Sequence, residues 1–179
     1  MFIPYNSLAK KGTKMKKVLE FAGLISLGLA VIGFILMMAT PSVALVNGNN
    51  ASYLNGVEGI FGNEDITAPW AGLTAWIFLL VSILAGVVLF VLPLLKIDLL
   101  GKFADICSLV VCVLLVLAGV FLFCEAGAYQ AAIGSTATAV VGAFGSIVVG
   151  AGWIIGGILL IVAGCAAGLP AVLRLLGKK

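Results

Sequence analysis

Four uncharged or nearly uncharged runs, each as long as a bilayer is thick, constrain this chain more than any other feature. A hydrocarbon core about 30 Å thick is crossed by about 20 apolar residues in a helix. Val18 to Thr40 meets that length, interrupted only by Glu20 near its edge. So do Trp70 to Leu95 and Ile106 to Cys124. The last run has a vaguer start, because Ala126 to Leu173 contains no charge at all. Placing its end near Leu169 and Pro170 and counting back about 21 residues starts it near Ile147. Charged residues make up 9% of the 179 positions, too few to clothe a soluble fold of this size. The expected class is therefore all-α: a polytopic membrane protein built as a four-transmembrane-helix bundle, with helices at about 18–40, 70–95, 106–124 and 147–169.

The ten basic residues fix the orientation. Lys10, Lys11, Lys14, Lys16 and Lys17 precede the first run, Lys96 and Lys102 separate the second from the third, and Arg174, Lys178 and Lys179 follow the fourth. With four crossings these places share one side. By the positive-inside bias that side is the cytoplasm. The expected organisation is a basic cytoplasmic segment 1–17, a transmembrane domain 18–173 and a basic cytoplasmic tail 174–179. Within the domain, loops 41–69 and 125–146 are external and 96–105 is cytoplasmic. The inner side carries a net charge of +7 and the outer side −4, which together give the +3 of the whole chain. The N-terminal lysines set topology and are also basic enough to meet anionic headgroups.

The external loop explains the stretch NGNNASYLNGVEGIFGNED at Asn47 to Asp65, which gathers asparagines and three of the seven acids without one lysine or arginine. Water solvates it, and a cationic loop would resist translocation. At 29 residues the loop 41–69 is long for a connection, which marks it as a candidate contact surface. Its candidates are Glu58, Phe61, Glu64 and Asp65, with Phe61 as an anchor over the helices. Asn50-Ala51-Ser52 fits a glycosylation acceptor pattern. Pro41-Ser42-Val43-Ala44 resembles a signal-peptide cleavage site, but the preceding apolar run is longer than a signal core of about 7–15 residues.

Lipid gives helices no hydrophobic push toward one another, so small residues that permit close approach mark the packing faces. Gly142, Ser146, Gly150, Gly152, Gly156, Gly164 and Gly168 make the fourth helix the expected enclosed one. Two glycine-bearing faces on one helix also point to a homo-oligomer or other membrane subunits as partners, besides the lipid bilayer.

Chemistry is poorly served. There is no histidine, and no ionisable residue sits at mid-membrane depth. Glu20 reaches the headgroups, Asp105 heads the third helix where the dipole favours an acid, and Glu125 closes that helix outside. Cys107, Cys112, Cys124 and Cys165 read as small apolar fillers. No catalytic, cofactor-binding or metal-binding set emerges, and neither a cofactor nor nucleic acid is expected. The segment 126–146 is apolar but small and flexible. It extends the fourth helix, lies on the interface, or re-enters the membrane with Ser135, Thr136 and Thr138 toward a pore.

With termini inside, a larger first external loop and a smaller second, the layout resembles that of four-span proteins such as claudins. The first loop lacks the tryptophan motif and paired cysteines of that family, so the resemblance carries no residue roles. The expected function is that of a non-enzymatic subunit or scaffold in the cell membrane, acting through protein contacts. The alternative is an oligomeric channel or transport component with a pore lined by 126–146.

Overall fold

The computed structural model describes residues 5–47, 50–64, 66–95 and 103–176, and side chains from Phe21 onward except in 135–141, 143–144 and 174–176. All ten basic side chains and Asp65 lie outside that set. The described residues are mostly helical, and among them are four helices long and apolar enough to cross a membrane.

The first is α1 (Tyr5–Ala39), whose apolar part is Phe21–Ala39. The second begins as α3 (Trp70–Gly86) and continues through a π turn at Val87–Val91 and a 3-10 turn at Leu92–Leu95. Pro93 has no N–H to offer the Leu89 carbonyl one turn back, so the regular ladder cannot run through it. The third is α4 (Ala104–Phe123) and the fourth α6 (Ala151–Leu176), whose apolar part is Ala151–Leu173. The last helix starts after Ile147, the position expected from length alone, because 147–149 belong to a strand.

All-α describes the spans but not the segments between them. Residues 41–69 fold into β1 (Val43–Asn47), β2 (Asn50–Leu54) and a short α2 (Gly56–Phe61). The segment after α4 forms α5 (Glu125–Phe144) and β3 (Ser146–Val149). The sheet order is β2-β1-β3, with both pairings antiparallel: Val43 opposite Leu54 and Asn47 opposite Asn50, then Val43 opposite Val149 and Val46 opposite Ser146. The central β1 is the most buried of the three strands. Val43 and Ala44 are buried, whereas the polar β2 is open. The segment 126–146 is thus neither a simple extension of the last helix nor one continuous rod. Gly134, at φ 82°, kinks α5 in a backbone region that residues with a Cβ seldom adopt.

Ser42 joins the pieces. Its N–H donates to the Leu54 carbonyl at 2.9 Å, its own carbonyl accepts from Gly150 N–H at 2.8 Å, and its hydroxyl is shared between the Leu54 and Asn55 carbonyls at 3.4 and 3.3 Å. Three of the four residues that resemble a cleavage site, Ser42, Val43 and Ala44, are therefore buried at the start of the central strand.

Helix α6 is the most enclosed span, with half of its apolar window buried against 22–33% for the others. It lies between α1 and α4. Toward α4, a Cβ on Gly164 would stand 2.8 Å from the Cys112 carbonyl, and one on Gly168 2.9 Å from Cys112 Sγ. Toward α1, Gly156 lies 3.6 Å by the same measure from the Gly33 carbonyl, and Gly152 lies against Thr40. The Ser26 hydroxyl on α1 donates to the Ala163 carbonyl at 2.7 Å, and Ser108 on α4 donates to the Ala167 carbonyl at 2.5 Å. The opposite surfaces of the spans expose branched apolar side chains such as Ile25, Ile32, Ile35, Leu84 and Ile158, as a lipid-facing surface requires.

Candidate functional site

The elements between the first and second spans and between the third and fourth gather over one end of the spans. Helix α2 begins with a capping box: Asn55 Oδ1 accepts from Glu58 N–H at 2.9 Å while Glu58 Oε2 accepts from Asn55 N–H at 3.3 Å. Gly56 seats this helix on the end of α1, where a Cβ would collide with the Met37 carbonyl. Gly59 is held against Ser42, and its carbonyl meets the Cα of Gly72 in the first turn of α3.

The predicted contact residues separate. Glu58 is half-buried and occupied by its capping box. Phe61 is 46% exposed and lies edge-on to Trp76 with ring centroids 5.1 Å apart. The fully buried member of that pair of apolar residues is its neighbour Ile60. Glu64 is exposed, and Asp65 lies outside the described residues. The predicted packing residues also divide. Gly142, near the end of α5, has open space around it, and Ser146 is exposed in β3. Gly150 abuts the Pro41 carbonyl at the start of α6. Gly152, Gly156, Gly164 and Gly168 contact α1 or α4. These four glycines of α6 therefore pack against neighbours within the chain. The side chains of Ser135, Thr136 and Thr138, on which the pore reading rests, lie outside the described residues.

Two features escape a reading by composition. The first is strand β2, which forms one edge of the sheet. Asn50, Ala51, Ser52 and Tyr53 are all exposed, Tyr53 at 65%. This edge carries no lysine, no proline and no charge of either sign, the usual means by which sheet edges are blunted. The signal for it is the pair Gly48-Asn49 between two short runs of strand-forming residues.

The second is Glu125. The Cys124 N–H closes α4 on the Phe121 carbonyl at 3.0 Å, and the Ala128 N–H opens α5 on the Cys124 carbonyl at 3.0 Å. Glu125 sits in the corner between them with 0% exposure and no hydrogen-bond partner for either carboxyl oxygen. A Cβ on Gly72 would stand 3.1 Å from Glu125 Oε2 while touching the Gly59 carbonyl, so the carboxyl reaches the place where α2 meets α3. Burial pushes its pKa up from 4.5 to about 8, against a small downward pull from the Gly72 N–H, which faces it outside hydrogen-bonding geometry. Tyr129, one turn along α5, is 5% exposed and is also raised, first by burial and then by the charge of Glu58. The signal for Glu125 is its solitude: it is the only charged residue between Asp105 and Arg174.

Among the described residues, no group of three or more histidine, cysteine or acidic side chains is placed to hold a metal. No family model, curated protein or solved structure matches the chain.

Proposed function

We propose that this chain is a four-helix bundle of the cell membrane with both termini in the cytoplasm. It acts without catalysis, through protein contacts of its external elements, as a subunit or scaffold of a membrane assembly. The orientation rests on the confinement of all ten lysines and arginines to the segments between or beyond the spans that share one side. The contact role rests on the open edge of β2. An unblunted edge strand offers a row of main-chain donors and acceptors, the means by which a sheet accepts a strand from a second protein. A second copy of this chain or another membrane subunit fits that edge.

A photo-crosslinking residue in place of Tyr53, activated in native lipid, tests the proposal. An adduct is expected, and its mass tells a second copy from a different subunit. Ala51→Pro, which removes an edge N–H, is expected to abolish it. Monomer alone in both crosslinking and native mass spectrometry overturns the contact role. Labelling of Lys96 or Lys178 by an impermeant reagent on intact cells overturns the orientation.

A further inference from the structure

Glu125 has no role in the contact reading, yet its surroundings are unusual for a carboxyl. It is wholly buried, both oxygens lack partners, and it lies beneath the seam between α2 and α3. The groups facing it offer no counter-charge. From α2 the one ionisable side chain is Glu58, already engaged with Asn55. Helix α3 has no ionisable side chain, and α5 adds only Tyr129, with Cys124 exposed just before it. No lysine or arginine occurs anywhere in 41–69 or 125–146. A carboxylate there would be a buried charge without a cation, which a protein avoids by keeping the group neutral. The neutral acid suits the site, because it needs no counter-charge, and Glu125 Oε2 and the Gly59 carbonyl both border Gly72, at the end of a helix whose last carbonyls have no partner within it.

We propose that Glu125 is a proton-binding latch, whose neutral carboxylic acid holds α2 and the first turn of α3 to the α4–α5 corner and whose deprotonation releases the external elements. The proton leaves to the external water. The carboxylate left behind gains solvation only if α2 lifts from Gly72, so ionisation and opening are coupled. With a pKa of about 8 the latch stays closed at neutral and mildly acidic external pH and opens in alkali. The indole N–H of Trp76, one turn along α3 from Gly72 and also without a partner, becomes solvated in the same opening.

Two measurements on the full chain in lipid nanodiscs test this. Infrared difference spectra against pH should show a protonated carboxyl band that persists above pH 6 and disappears near pH 8. Glu125→Gln should lack that band and Glu20→Gln should retain it. Amide exchange in 56–61, corrected for its intrinsic pH dependence, should rise by up to about tenfold per pH unit between pH 5 and 8 in the natural chain and level off above pH 8. Glu125→Gln is uncharged at every pH, so its exchange should stay flat. Loss of the band in Glu20→Gln, no such band in the natural chain, or the same exchange profile with and without Glu125 overturns the proposal. If Glu125→Gln does not fold, the natural chain and Glu20→Gln still decide it.

Discussion

The indole N–H of Trp153 donates to the main-chain carbonyl of Met37 at 2.9 Å, across 116 positions of sequence. Met37 lies in the last turn of α1, where carbonyls have no partner within the helix. Trp153 lies in the first turn of α6 and is wholly buried, as is Met37. The bond closes the joint at which α2, β1 and both helices meet, since Gly56 rests on the same carbonyl. Trp153→Phe keeps most of the ring and removes the donor, leaving a buried carbonyl unsatisfied. The expected loss is about 1–3 kcal/mol of stability, read by denaturation in detergent micelles with circular dichroism. A change of less than about half a kcal/mol means that another group or water satisfies Met37.

The glycines of the elements between the spans are not equivalent. A methyl group at Gly56 would meet the Met37 carbonyl, and one at Gly150 the Pro41 carbonyl. Both obstacles are backbone and cannot rotate away. Gly127 on α5 has nothing within 4 Å of such a methyl. Gly56→Ala and Gly150→Ala are therefore expected to lower the melting temperature sharply. Gly127→Ala is expected to be neutral or to gain up to about 1 kcal/mol from the unfolded state. Equal tolerance at all three positions, in a thermal-shift series, contradicts this packing.

Within the membrane, Ser26 and Ser108 reach α6 from opposite neighbours and donate to carbonyls one turn apart, at Ala163 and Ala167. Serine-to-alanine changes there fill no new space and remove one interhelical bond each. Such bonds average about 0.6 kcal/mol in membranes and rarely exceed about 1.7. Each single variant should lose that much in steric-trapping or detergent unfolding. The double variant should lose the sum, because the two donors lie on different helices and share no acceptor. Strong coupling between them implies that α6 moves when either bond is lost.

The spans were legible because nothing in an aqueous fold competes with about 20 apolar residues in a row. Trp70 to Leu95 agrees at both ends, where Pro69 precedes the helix and Pro93 disrupts its last turns. The strands were not legible in the same way. In a chain that is 63% hydrophobic, Val43 to Val46 and Ile147 to Val149 look like more of the background. Only pairing distinguishes them, and the partner of β1 across the second loop is about a hundred positions away. The fourth helix was placed by length, so its start slid into β3. Glu125 was visible as a lone acid, but its burial depends on the turn at Cys124, and α2 covers it from a distant part of the chain. Its sequence neighbourhood contains neither fact.

A carboxyl pushed up by burial makes stability depend on pH with a definite sign. Between the ordinary value of 4.5 and about 8, the folded chain holds a proton on Glu125 that the unfolded chain has released. Stability therefore falls as pH rises through this window, at a limiting slope of about 1.4 kcal/mol per unit from this group. The benefit of the neutral acid is complete below 4.5 and is gone above about 8. Tyr129, also raised, adds a loss of the same sign only above its ordinary value of 10, outside this window. Denaturation midpoints at pH 5, 6.5 and 8 should thus decline steadily for the natural chain. Glu125→Gln, neutral throughout, should remove most of the decline while leaving the midpoint at pH 5 nearly unchanged. If the natural chain has the same midpoint at all three pH values, Glu125 is not held neutral, and a cation or water must reach it in the folded protein.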